Sequence, residues 1–182
     1  MSTLQDVALS TVGDTQPLPS FKLLNVDLRW HTDDDLDLMA VYEPDAGEPG
    51  LVYFGDQGDL DWPPYMALSD DETGSEGDNV ETLQIARLEG MKRVWLICLD
   101  YGFNMGEGVV LSSASTRLLL TPMGGGGLGR IELKLASDSP GNLAVLGMLD
   151  WADGVVRVTN VSRVATLHGL ESVEQILAVL RD

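Results

Sequence analysis

The 182-residue chain has one cysteine, Cys98, so an internal disulfide framework is excluded. It has no apolar run approaching the roughly 18 residues that a membrane-spanning helix requires, so no membrane insertion is expected. The first 21 residues, MSTLQDVALSTVGDTQPLPSF, lack both a basic n-region and a continuous apolar h-region. No secretory signal is therefore expected. Residues 1–20 are expected to form a flexible leader to a single domain over 21–182, resident in the cytoplasm. Histidine is scarce, with only His31 and His168. Neither a Ser–His–Asp order nor a Gly-x-Ser-x-Gly turn is present, which removes the commonest hydrolase patterns.

The most informative shortage is of positive charge. Eleven Lys and Arg stand against 29 Asp and Glu, a net charge of −18. Binding to nucleic acid or to an anionic membrane depends on basic side chains that neutralise phosphate, so neither is an expected partner. From Trp30 to Ala86 there are 16 acids and no Lys or Arg, whereas the rest of the chain holds 13 acids and 11 bases. A general solubility effect would spread the excess evenly. This one is regional.

Hydrophobic residues make up 44% of the chain, enough for a substantial core. Segment 23–30, LLNVDLRW, alternates Val26, Leu28 and Trp30 with Asp27 and Arg29, the period of a half-buried strand. Residues 36–42, 51–54 and 81–88 carry further short strand signals. The apolar run 92–100, KRVWLICLD, predicts a central strand covered on both faces. Runs at 116–121, 130–135, 143–149 and 155–160, separated by Gly, Pro, Asn and Asp, complete a mainly β pattern. Such spacing suggests a two-sheet β-sandwich. A closing helix over 170–181 places Val173, Ile176, Leu177 and Leu180 on one stripe, and Ser172 with Gln175 suits a capping box.

The acidic tract has two parts that invite a cation. Residues 70–81, DDETGSEGDNVE, hold six acids, two glycines and no base. Two like charges about 4 Å apart repel by roughly 4 kcal/mol at an effective dielectric near 20, so such a loop needs solvation or a counter-charge. Calcium takes six to eight hard oxygens from carboxylates, carbonyls and water. Asp70, Asp71, Glu76, Asp78 and Glu81 supply carboxylates, with Thr73 and Asn79 adding neutral oxygen. An EF-hand is excluded: the sixth position is Ser75 where glycine is needed, and neither flank is helical. The second part is the strand-borne DLD. Alternation puts Asp35 and Asp37 on one side, about 7 Å apart along the chain. Asp56, Asp59 and Asp61 are possible additional ligands.

HTDDDLDLMAVYE followed by SDDETGSEGDNVETLQI resembles the TerD domain of tellurite-resistance and bacterial stress proteins. Trp30 matches the family's strand tryptophan, and Asp35 and Asp37 its DLD. Residues 52–56 resemble its aromatic strand. Asp70, Thr73, Gly74, Gly77, Asp78 and Glu81 match its acidic loop, and RVWLICLDY its central strand. Ala114 and Arg117 retain part of a further family motif. GNLAVLGMLDWADGVVRV is similar to its penultimate hairpin and HGLESVEQIL to its last helix. The resemblance spans about 21–180 and implies a non-enzymatic, calcium-binding β-sandwich with other proteins as partners. The rival expectation is a metal-independent acidic module for protein–protein interaction. A metal-assisted hydrolase is disfavoured, since no base, nucleophile or phosphate cradle accompanies the carboxylates.

Other features have plainer readings. Cys98, mid-strand, is expected to be a small buried hydrophobe. His31 is expected at the surface, and His168 in a structural role before the final helix. GGGGLG (124–129) lacks the Lys-Ser/Thr of a phosphate loop and suits a hairpin tip. Trp62-Pro63-Pro64-Tyr65 suits an exposed tip or a lid over the acidic loop.

Overall fold

The computed structural model describes residues 5–69, 76–102, 111–125, 128–169 and 172–181. Their order is β1 (Gln5–Leu9), β2 (Thr15–Pro17), β3 (Leu23–Trp30), β4 (Leu36–Pro44), β5 (Gly50–Val52), β6 (Gly58–Asp59) and β7 (Met66–Leu68). There follow β8 (Asn79–Ile85), β9 (Met91–Asp100), β10 (Arg117–Met123), β11 (Leu128–Lys134), β12 (Leu143–Ala152), β13 (Val155–Ala165) and α1 (Val173–Arg181). One sheet has the order β1-β11-β10-β3-β8-β7-β6 and the other β2-β13-β12-β9-β4-β5. The chain is mainly β, with two sheets and a helix near its C-terminus.

Strict alternation makes β3, whereas β4 and β9 are buried on both faces. In β3 every second side chain is buried, and Leu24, Val26, Leu28 and Trp30 enter the main core. That core takes Leu83 and Ile85 from the same sheet and Leu36, Leu38, Leu96, Cys98 and Val158 from the other, so both sheets bury apolar area together. Gly147 on β12 marks a close approach, since a Cβ there would lie 2.8 Å from Leu133 Cδ2 on β11. The opposite face of the second sheet is covered by α1. Ile176, Leu177 and Leu180 cluster with Met39, Val41, Trp95, Ile97 and Leu99. The capping box forms: Gln175 N–H donates to Ser172 Oγ at 3.3 Å, and Ser172 N–H donates to Gln175 Oε1 at 3.2 Å. Arg181 pairs with Glu43 of β4 and holds the helix C-terminus to the sheet.

The stretch expected as a flexible leader is structural from residue 5 onward. β1 adds to β11 in parallel and β2 adds to β13 antiparallel, so one short segment edges both sheets. Buried Asn160 secures it: its Nδ2 donates to the Leu9 carbonyl at 2.7 Å and its backbone N–H to the Asp14 carbonyl at 2.9 Å. Burial of Leu9 and Leu18 supplies the apolar reason.

All strands deliver their tips to two ends. Trp30, Leu36, Asn79, Asp100 and Leu143 lie at one end, fixed by the registers Trp30–Asn79, Leu36–Asp100 and Leu143–Leu99. The turns after Ile85 and after Ala152 lie at the other. Trp62 is 71% exposed. Its loop precedes β7, whose Met66 pairs with Ile85, so it belongs to the end away from Asn79. Among the described residues no helix is long and apolar enough to cross a membrane.

Candidate functional site

The turn 31–35 is locked from several sides. The Trp30 indole N–H donates to the Asp34 carbonyl at 3.0 Å, while His31 N–H donates to the Ala114 carbonyl at 2.9 Å. Asn79 Nδ2 donates to the Thr32 carbonyl at 2.7 Å, and Tyr101 N–H to the Asp35 carbonyl at 3.1 Å. His31 Nδ1 sits 3.0 Å from Asp78 Oδ1 at the surface. The end of the acidic loop is thus tied to the turn that leads into DLD.

At the same end of the strands three carboxylates are buried. Asp37 is 4% exposed, Glu81 2% and Asp100 1%. Glu81 reaches from β8 across to β4, where its Oε2 accepts the Leu38 N–H at 2.7 Å. Asp100 closes β9 opposite Leu36, and its N–H donates to the Asn142 carbonyl at 2.8 Å. Their charges are felt at Cys98, from Asp37 across the sheet. Burial pushes that thiol well above its ordinary value, and the negative charges of Asp37, Glu81 and Asp100 push it further. The expected buried cysteine is found, within the apolar core.

The carboxylates approach this end from both faces of β4. Leu36, Leu38 and Ala40 point into the main core, as do the neighbours of Glu81 on β8. Asp37 lies opposite Leu99, on the face shared with Met39 and the helix. There Asp35 and Asp37 line a cleft of about 140 Å³ with Phe54 and Tyr101. The two rings meet edge to face at 5.7 Å. No family model and no curated protein matches this chain.

The remaining expected ligands divide. Asn79 is buried and uses its amide nitrogen within the turn. Glu76 and Asp78 are exposed. Asp70, Asp71 and Thr73 lie outside the described residues. Asp59 serves its own turn, where Oδ1 accepts the N–H groups of Asp61 at 2.7 Å and Trp62 at 3.0 Å, at the end away from Glu81. Asp56 accepts the Gly58 N–H at 3.3 Å and stands near Tyr42, whose phenol is raised first by burial and then by this charge. Among the described residues no three His, Cys, Asp or Glu side chains form a group able to hold a metal ion.

Asp100 was the residue that sequence reasoning passed over. Its signal was an acid ending an otherwise apolar strand, KRVWLICLD. Phe54 and Tyr101 carried no signal beyond their adjacency to acids, because the pairing of β5 and β9 to either side of β4 brings them together.

Proposed function

We propose that this chain is a TerD-type calcium-binding β-sandwich of the stress and tellurite-resistance kind, cytoplasmic, and acting by binding rather than catalysis. The observation that carries the reading is the tie between the two acidic segments. Asp78 meets His31 and Asn79 meets Thr32, at the strand end that carries the buried Asp37, Glu81 and Asp100. Buried carboxylates are costly unless protonated, hydrogen-bonded or matched by positive charge. The donors at this end are hard oxygens, which suits calcium better than a soft metal. Since the described residues alone form no ligand group of three, the reading requires residues 70–75 to complete the shell. Asp70, Asp71 and Thr73 are the ligands it assigns there, and no more than two of Asp37, Glu81 and Asp100 share a shell with them. Bound calcium supplies the positive charge that lets β4 and the 70–81 loop share one end of the fold.

Thermal unfolding with calcium and with chelator tests this. Calcium at a hundred times its dissociation constant is expected to stabilise the fold by about 2.7 kcal/mol. Superimposable curves contradict it.

A second reading rests on the aromatic pair beside the DLD cleft. Tyr101 is 52% exposed and Phe54 37%, and both adjoin Asp35 and Asp37. An aromatic and acidic surface suits a Lys or Arg of a basic protein partner. Under that reading the amide signals of 31–37 and 76–81 stay in place when calcium is added.

A further inference from the structure

The far end of the fold is chemically unlike the acidic one. A cavity of about 280 Å³ opens there between the segment joining β2 to β3, the turn after β8 and the β12–β13 hairpin. Its floor is made of Leu18, Leu88 and Val156, core residues that keep 5–7% exposure, and Phe21 and Trp151 wall it. The hairpin is a two-residue turn with positive φ at both Asp153 (53°) and Gly154 (76°). That geometry matches strand twist and sets Trp151 directly opposite Val156.

One cation lines this cavity, Arg87. Its guanidinium lies 3.5 Å from the centroid of the Tyr65 ring. In a chain with so many acids, Arg29, Arg117, Arg157 and Arg181 each have a carboxylate partner. Arg87, like Arg93, Arg130 and Arg163, has none among the described residues, and of these it alone lines the cavity. Stacking on a ring holds a guanidinium flat while leaving its in-plane N–H fork open to a carboxylate.

We infer that this cleft binds a small monocarboxylate with a flat apolar body of about two rings. An apolar cavity of about 150 Å³ takes one benzene ring, so the larger volume here suits a bicyclic body. The body lies between Phe21 and Trp151 over the Leu88 floor, and the carboxylate meets Arg87. Exposed Glu89 at the rim repels a second carboxylate, so the site favours monoanions.

The test is a titration of the full chain with 2-naphthoate, in chelator so that calcium has no bearing on it. Binding is expected to shift the Trp151 indole N–H signal and the amides of 86–89 and 151–156, leaving 31–37 unmoved. Arg87→Gln is expected to weaken binding about tenfold. Naphthalene-2,6-dicarboxylate is expected to bind about tenfold more weakly than 2-naphthoate, with Glu89→Gln closing the gap. Arg87 and Glu89 are exposed, so both variants should fold, and an unchanged thermal midpoint checks this. The proposal is overturned by shifts confined to other regions, by no shift at millimolar 2-naphthoate, or by equal affinity in the folded Arg87→Gln variant.

Discussion

The same strands end in buried carboxylates on one side and, on the other, in an open cleft of mixed apolar and polar lining. At the first end Asp37, Glu81 and Asp100 are all but fully enclosed, and the loops above them are pinned by side-chain hydrogen bonds. At the second, Leu18, Leu88 and Val156 show through a gap, with Arg87 and Trp151 at its rim. The shared core makes both possible. It supplies apolar burial along the strand middles, so the last residue or two of each strand are freed from packing duty. Polar chemistry at the first end is then costly and organised, whereas at the second it is exposed and easily changed.

The largest expected effect breaks the acidic end. Glu81→Ala leaves the Leu38 N–H buried without its acceptor, at about 1–3 kcal/mol in chelator. With calcium present the loss should grow by the calcium-linked increment, and denaturant unfolding in both buffers separates the two. A smaller effect lies at the helix start, which neither end controls. Ser172→Ala is expected to cost about 1 kcal/mol through loss of the cap, read from the same unfolding curves. Arg87→Gln, at the open end, should change stability by less than about 0.5 kcal/mol while altering ligand binding.

The contrast can be sharpened by pH. Cys98 holds its proton more tightly in the folded chain than in the unfolded one, because burial and then Asp37, Glu81 and Asp100 disfavour the thiolate. The stability tied to this is complete below the ordinary thiol value of 9.0 and declines as pH rises above it, since the unfolded chain releases the proton first. Cys98→Ala should flatten the alkaline limb of the stability profile. Native Cys98 should also resist thiol reagents that label the unfolded chain at once.

Strands with an uninterrupted period of two or a continuous apolar run were legible in the sequence. β3 spans the expected 23–30, and β4, β9, β12 and the capped helix fall close to their expected ranges. β1 and β2 were not, because five- and three-residue strands gain their stability from distant partners, β11 and β13. Alternation did place Asp37 beside Met39 and Val41. It could not say that this face lies under the helix, because the choice of face is made by packing. Asp35, Asp37 and Glu81 stood out through regional charge, whereas Asp100 acquires its setting from its strand partner Leu36 and from Asn142.

Crystals grown with calcium put the central claim to its most direct test. A density peak with oxygen atoms at about 2.3–2.6 Å, drawn from Asp37, Glu81 or Asp100 together with residues 70–75, is the result expected. Water alone between those carboxylates and that loop would contradict it.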